Sequence, residues 1–337
     1  MRVSVIIPVY NPSPEFFDCL TALARSTHAP FEVIIVDDCS TPPVDLSSTP
    51  LTVTLIRADE SLGPGGARNL AATKAHGELL LFIDADVVIE RDTIQKIVVR
   101  FEGDAHIAAL SGLYTYRSNY DNLSSVYHNL YIEYKQHHVP EDGPYADTAI
   151  LGVRKEIFDA AGGFRTAMFT GEDLEFGYRL YSEGYKVCCD PRVRVSHHKF
   201  LSFKGWIKNR FCHCTNMIMA KLEQMRTAKQ RIASNRVIFT ILPMQIASAF
   251  LLAGALLAII AYLLFRKTGI ASIEVSIVIL YAAINARYMS FIFARMGTRG
   301  LLLLPYIILE HCISLCSVLA TGIRWALRLP SITYRGG

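Results

Sequence analysis

Leu79-Leu80-Leu81-Phe82-Ile83-Asp84-Ala85-Asp86-Val87 is the stretch whose reading decides the fold. Five consecutive apolar residues closed by polar ones have the length and composition of a short, fully buried strand. Two carboxylates, Asp84 and Asp86, then stand one residue apart at its carboxyl end. In an open α/β sheet that end borders the crevice where ligands bind. Paired carboxylates there form a hard-oxygen site suited to Mg²⁺ or Mn²⁺, above all when a diphosphate supplies further oxygens.

Outward from this strand, apolar β-rich runs alternate with helical patterns. Strands are expected over 3–7, 33–36, 53–56 and 107–110, and helices over 15–26, 65–76 and 93–101. Such alternation predicts an α/β fold, a mostly parallel sheet with helices on both faces. Residues 114–147 are polar and rich in tyrosine (Tyr114, Tyr116, Tyr120, Tyr127, Tyr131, Tyr134); within them 123–138 reads as a helix whose rings pack at the surface or meet an acceptor. Strand patterns resume at 149–153 and 186–195, with a helix at 173–183 between them.

The 337 residues are 51% hydrophobic, with a mean hydropathy of +0.28, and the apolar excess lies in the last third. A net charge of +4 suits a membrane surface better than nucleic acid, and no nucleic-acid-binding pattern is present. Eight cysteines without paired Cys-x-x-Cys units argue against structural zinc and fit a reducing compartment. The chain opens on a strand pattern with no signal-peptide pattern, so the first two-thirds is expected in the cytoplasm.

Residues 203–236 are basic and amphipathic, carrying Trp206, Phe211, Met217 and Met219; they suit a helix at a membrane interface or an ordinary surface helix. Residues 238–265 contain no charge and are long enough to cross a bilayer at about 1.5 Å per residue. Segments 270–293 and 301–323 are also span-length, though they carry Glu274, Arg287, Glu310 and His311. The expected organisation is therefore a catalytic domain over 1–215, a basic juxtamembrane segment over 216–237 and an all-α transmembrane domain of about three helices over 238–330. Buried charges in a membrane pair or face polar cavities, and a hairpin of the last two segments predicts that Arg287 pairs with Glu310.

Other polar clusters join the Asp pair: Pro8-Val9-Tyr10-Asn11, Val36-Asp37-Asp38-Cys39-Ser40, Gly63-Pro64-Gly65-Gly66-Ala67-Arg68-Asn69, Gly162-Gly163-Phe164 and Gly171-Glu172-Asp173. Each has a plain reading alone: Asp37-Asp38 as a turn and helix cap, the glycine run as a tight turn, Glu172-Asp173 as acids favoured by a helix dipole. An Arg beside a glycine-rich helix start also suits a diphosphate. Together, at the carboxyl ends of successive strands, they describe one crevice.

In this order and spacing the clusters resemble family-2 glycosyltransferases of the GT-A fold, over roughly residues 1–215. The resemblance implies a nucleotide-sugar donor, a divalent metal (Mg²⁺ or Mn²⁺) and inversion at the anomeric carbon. It implies that Pro8, Tyr10 and Asn11 line the nucleoside pocket, that Asp37 or Asp38 bonds the base or ribose, and that Arg68 lies near the donor phosphates. Asp86 would be the main metal ligand, with Asp84 at the ribose or the metal shell, and His197, or its neighbour His198, as a further ligand. Asp173 would be the catalytic base, with Glu172 beside it. Processive synthases of this superfamily carry a Gln-x-x-Arg-Trp pattern; its nearest match, Lys208-Asn209-Arg210-Phe211, departs from it but leaves Arg210 as a possible diphosphate ligand.

The chemistry is consistent with those roles. A metal offsets charge developing on the leaving diphosphate, and a carboxylate that takes the acceptor's proton contributes about 10²–10⁴ in rate. The expected protein is a multi-pass enzyme of the cytoplasmic membrane, its catalytic domain in the cytoplasm. It would act on a lipid-linked or glycan acceptor in envelope glycan or glycolipid assembly, with membrane lipids but no nucleic acid as partners. Rival readings are a polyprenyl-phosphate sugar synthase, a non-catalytic membrane scaffold, against which the complete set Asp84, Asp86, Glu172 and Asp173 speaks, and a nucleotidyltransferase, whose glycine-rich loop would replace Tyr10-Asn11-Pro12.

Overall fold

The computed structural model describes residues 1–166, 171–226, 247–248, 250–255 and 268–327. They form two compact units: Met1–Asp121 with Lys135–Phe200, and Asn122–Tyr134 with the described residues from Leu201 onward. The boundary expected after residue 215 thus falls at Leu201. Most of 227–265, including the larger part of the first expected span, lies outside the described residues.

The first unit runs β1 (Val3–Val9), α1 (Pro14–Ala24), β2 (Glu32–Asp37), β3 (Thr54–Arg57), α2 (Gly63–Lys74), β4 (Leu79–Ile83), β5 (Val87–Ile89), α3 (Thr93–Gly103) and β6 (Ile107–Thr115). After α4 (Leu123–Gln136), most of which belongs to the second unit, it continues with β7 (Ile150–Arg154), α5 (Lys155–Ala160), α6 (Glu172–Ser182) and β8 (Lys186–His197). One eight-stranded sheet has the order β3-β2-β1-β4-β7-β6-β8-β5.

Every residue of β4 is fully buried, as an uninterrupted apolar run in a covered central strand requires. Phe82 of β4 packs on Phe158 and Phe164, and these two on each other and on Phe176, ring centroids 5.0–5.4 Å apart. That aromatic cluster seats α5 and α6 on one face of the sheet.

The sheet is mostly parallel, as expected, with two strands reversed: six of its eight strands share one direction. β3, β2, β1 and β4 run parallel, but β7 lies antiparallel between β4 and β6, and β5 antiparallel to β8. Alternation in sequence counts strands without giving their direction. The chain leaves β6 at its carboxyl end and re-enters at that same end, so β7 must run back. Its first residue, Ile150, pairs with Ile83, the last of β4, which brings residues just before β7 to the edge where Asp84 begins.

In the second unit α4 is followed by α7 (Phe203–Arg226), α8 (Thr268–Met296), a 3₁₀ segment (Gly297–Leu303) and α9 (Leu304–Ala326). Trp206 is fully buried, its ring 5.5 Å from Tyr127 and 4.9 Å from Tyr306. Tyr127, Tyr131 and Tyr134 of α4 are buried as well; these tyrosines form a core, neither a surface nor an acceptor contact. Trp206, Arg210 and Cys214, four residues apart on one helical face, are all buried. That face of α7 packs within protein instead of lying on lipid.

Glu310 of α9 does not pair with Arg287 as expected. It receives Arg210 Nε at 2.9 Å on both carboxylate oxygens, with a further bond from the guanidinium Nη2, while Arg210 also lies over the Tyr131 ring at 4.3 Å. Among the described residues one stretch, Ser276–Arg324, is apolar and long enough to cross a membrane, its most apolar part reaching a mean hydropathy of 1.9, where about three spans were expected.

Candidate functional site

The site is built at the carboxyl ends of β1, β2 and β4. Beyond β1, Pro8 is half-buried and Tyr10 is 37% exposed. Asn11 has φ +47°, a left-handed conformation that Asn tolerates better than most residues. Its N–H donates to Ser40 Oγ at 2.8 Å and its Oδ1 accepts from Thr41 N at 2.8 Å. Asn11 therefore ties the loop after β1 to the loop after β2.

Both acids of the second loop are filled by protein donors. Asp37 accepts from Ser40 N (2.8 Å), Val44 N (3.2 Å) and Arg57 Nη1 (2.5 Å). Burial opposes its charge, but the Ser40 and Val44 hydrogen bonds and Arg57 outweigh that and hold the carboxyl below its usual range. Asp38 accepts from Leu62 N (2.6 Å), Gly63 N (3.0 Å) and Ser61 Oγ (3.1 Å). The amides that open α2, the place a diphosphate was expected, are thus met by the chain's own carboxylate.

Arg68 is buried and spans the site. Nη2 donates to Asp84 Oδ1 at 2.5 Å and Nη1 to Glu172 Oε1 at 2.7 Å, residues 16 and 104 positions away. Gly65 permits the approach, since a Cβ there would lie 3.2 Å from Glu172 Cγ. Asn69, one residue on, bonds both Phe164 N (2.9 Å) and Phe164 O (2.7 Å), pinning the Gly162-Gly163-Phe164 turn ahead of α6. Arg68 is therefore a bridge between two predicted site acids, and Asp84 is an ion-pair partner of Arg68.

Asp86 has different company. The antiparallel register sets Val87 opposite His197, and His197 Nε2 lies 3.1 Å from Asp86 Oδ2. His198 faces away, with Nδ1 3.8 Å from Asp18 Oδ2. Between the two histidines, the structure brings His197 to the acid. Lys199 Nζ lies 3.6 Å from Asp86 Oδ2, a neighbour that nothing in the sequence pattern indicated. Burial works against the Asp86 charge, yet His197 and Lys199 prevail and hold its carboxyl well below the ordinary range.

Asp173 lies in the first turn of α6, after Gly171 at φ +83°. Its Oδ2 accepts from Thr148 N at 3.3 Å and Thr148 Oγ1 at 3.5 Å. Burial and the negative charges of Glu172 and Asp147 push its carboxyl well above the usual range, with Arg68 opposing. Asp147 was not anticipated. Its signal was an acid immediately ahead of a predicted strand, which becomes informative only once that strand is known to run antiparallel.

The Arg68 bridge thus joins Asp84, two residues from Asp86, to Glu172, next to Asp173. Arg210 belongs to the second unit, where Glu310 holds its guanidinium. Among the described residues no group of three or more His, Cys, Asp or Glu side chains could hold a metal. Asp86 and His197 make a two-ligand set, hard oxygen plus imidazole, which fits Mg²⁺ or Mn²⁺ only where a bound ligand completes the shell.

Residues 4–162, which include Asp84 and Asp86, match the family described as Glycosyl transferase family 2. The chain is 29% identical over 185 residues to an uncharacterized glycosyltransferase of Haemophilus influenzae (54% of this chain, 62% of that protein). It is 26% identical over 216 residues to an O-antigen chain rhamnosyltransferase of Salmonella typhimurium (59% and 67%). The matched stretch thus spans a little under two-thirds to about two-thirds of these relatives. In fold it resembles a mannosyltransferase of Pyrobaculum calidifontis solved with GDP-Man and Mn²⁺, with TM-score 0.64 at 19% identity, over 95% of this chain and 86% of that one.

Proposed function

We propose that the protein is a membrane-anchored, inverting glycosyltransferase that moves a sugar from a nucleotide-diphosphate donor to an acceptor hydroxyl. The observation that carries the reading is the division of the site acids. Asp86, held low beside His197 and Lys199, has the environment of a permanently ionised metal ligand. Asp173, held high, has that of a general base. When bound, Mg²⁺ or Mn²⁺ would offset charge on the departing diphosphate. Asp86 and His197 would hold it, and Lys199 adds positive charge on the same side. Asp173 takes the acceptor's proton, and Arg68 keeps Glu172 and Asp84 in place between the two functions. Pro8 and Tyr10 remain the proposed wall of the nucleoside pocket.

Val278, Ile279 and Leu280 of α8 and Leu319 and Ile323 of α9 are large, apolar and exposed. They support an anchor in the membrane; the same proposal puts the catalytic domain on its cytoplasmic face and the acceptor in envelope glycan or glycolipid assembly. Membranes from expressing cells, given a panel of nucleotide sugars with Mg²⁺ or Mn²⁺, are expected to release nucleoside diphosphate from one of them. Asp86→Ala should lower release at least 10²-fold. Asp173→Ala should lower transfer to the acceptor to a similar degree while nucleotide still binds. No release from any sugar nucleotide would refute the activity.

A further inference from the structure

Asp147 takes no part in the reaction as proposed, yet it is fastened at three points beside the base. Its N–H donates to Ser111 Oγ at 3.0 Å, its Oδ1 accepts from Ala149 N at 3.1 Å, and its Oδ2 accepts from Tyr145 OH at 2.7 Å. Gln136 Nε2 donates to the same Tyr145 oxygen at 2.9 Å, and its Oε1 is taken by Tyr114 N at 2.6 Å. Those anchors fix the next residue, Thr148, whose N–H and hydroxyl both point at Asp173 Oδ2.

Helix α6 is pressed against this segment. A Cβ on Gly177 would come within 2.5 Å of Pro144 O and 2.8 Å of Ala146 Cβ, so only glycine lets the helix carrying Asp173 lie so close.

We propose that Asp147 is a positioning residue for the acceptor-activating carboxylate: it fixes the Thr148 donors that orient Asp173 and sets a second negative charge against it. The inference rests on the glycosyltransferase reading of Asp173. Glu172, Asp147 and Arg68 are the charged groups facing Asp173; Asp84, Asp173 and Lys135 are those facing Asp147, beside the titratable Tyr114, Tyr145 and Cys189. Burial raises both carboxyls, and each is raised further by a neighbouring acid. The sign follows. A base with a raised pKa is ionised only above it, so activity is lost as pH falls through that value. Once ionised, it is a stronger acceptor of the hydroxyl proton.

The test compares wild type, Asp147→Asn and Thr148→Val as full chains in native membranes, following nucleoside diphosphate release across pH with the donor that the panel identifies. Asp147→Asn removes a like charge, so the acid limb of kcat should move down by about one pH unit and the plateau fall about tenfold, with donor KM unchanged. Thr148→Val removes a donor to the ionised base, so its limb should move up. If Asp147→Asn fails to fold, the direction of the Thr148→Val shift decides. Limbs that stay in place, or move the same way in both variants, would overturn the proposal, because plain structural damage lowers the rate at every pH. A wild type that releases nothing would instead defeat the glycosyltransferase reading.

Discussion

Arg68 shows how far a residue's environment departs from what its neighbours in sequence suggest. A glycine-rich helix start followed by Arg suits a diphosphate, and in the structure that Arg is paired with two carboxylates. Removing it leaves Glu172 buried and charged without a partner. Breaking such a pair costs about 3–5 kcal/mol, and the part-exposed Asp84 keeps the expected loss near the low end. Arg68→Met should therefore lower unfolding stability by about 3 kcal/mol in denaturant titrations. Arg68→Lys should recover only part of it, because a compact ammonium on a shorter stem lacks the two diverging Nη donors that reach Asp84 and Glu172. Asp84 and Asp86 were legible at a strand end and Glu172 and Asp173 at a helix start, where the structure has them. Asp147 and Lys199 were not, since each enters the site through strand pairing that no local pattern specifies.

At the scale of elements, the positions of strands and helices were legible and their pairing was not. β4 announces itself by five apolar residues, and α6 by a glycine followed by first-turn acids. Strand direction leaves no such mark, so nothing in the sequence said which strands of the mostly parallel sheet, β7 and β5, would be reversed. The choice between His197 and His198 illustrates the same point. A shift of one residue turns a side chain to the opposite face, and only the β5–β8 register sends His197 to Asp86. In the second unit the Arg210–Glu310 pair joins residues 100 positions apart, and hydropathy alone had offered Arg287 as the partner. Glu310→Gln should destabilise the detergent-solubilised protein in a thermal melt by stranding Arg210. Replacing both residues with Met should restore most of that loss, because a buried pair is often no more stable than well-packed apolar residues. A double variant as unstable as the single one would show that the pair is needed for more than mutual neutralisation.

For the whole molecule, one chain combines a mixed α/β domain, whose strand ends gather acids into two electrostatic classes, with a helical unit bearing exposed apolar side chains. Both were visible in composition and alternation, because apolar runs of five residues and of twenty differ plainly. How each unit closes its core was not, because Trp206 and the tyrosines of α4 read equally well as surface residues. The central claim is that Asp86 with His197 binds a cation next to the donor, within the crevice whose other side holds Asp173. Its most direct measurement is an anomalous-difference map from crystals of the full chain grown with Mn²⁺ and a nucleoside diphosphate. The expected result is a peak within bonding distance of Asp86 and His197, bridged to diphosphate oxygens and opening towards Asp173. A peak held by other residues, or nucleotide bound on a face that Asp173 does not reach, would contradict it.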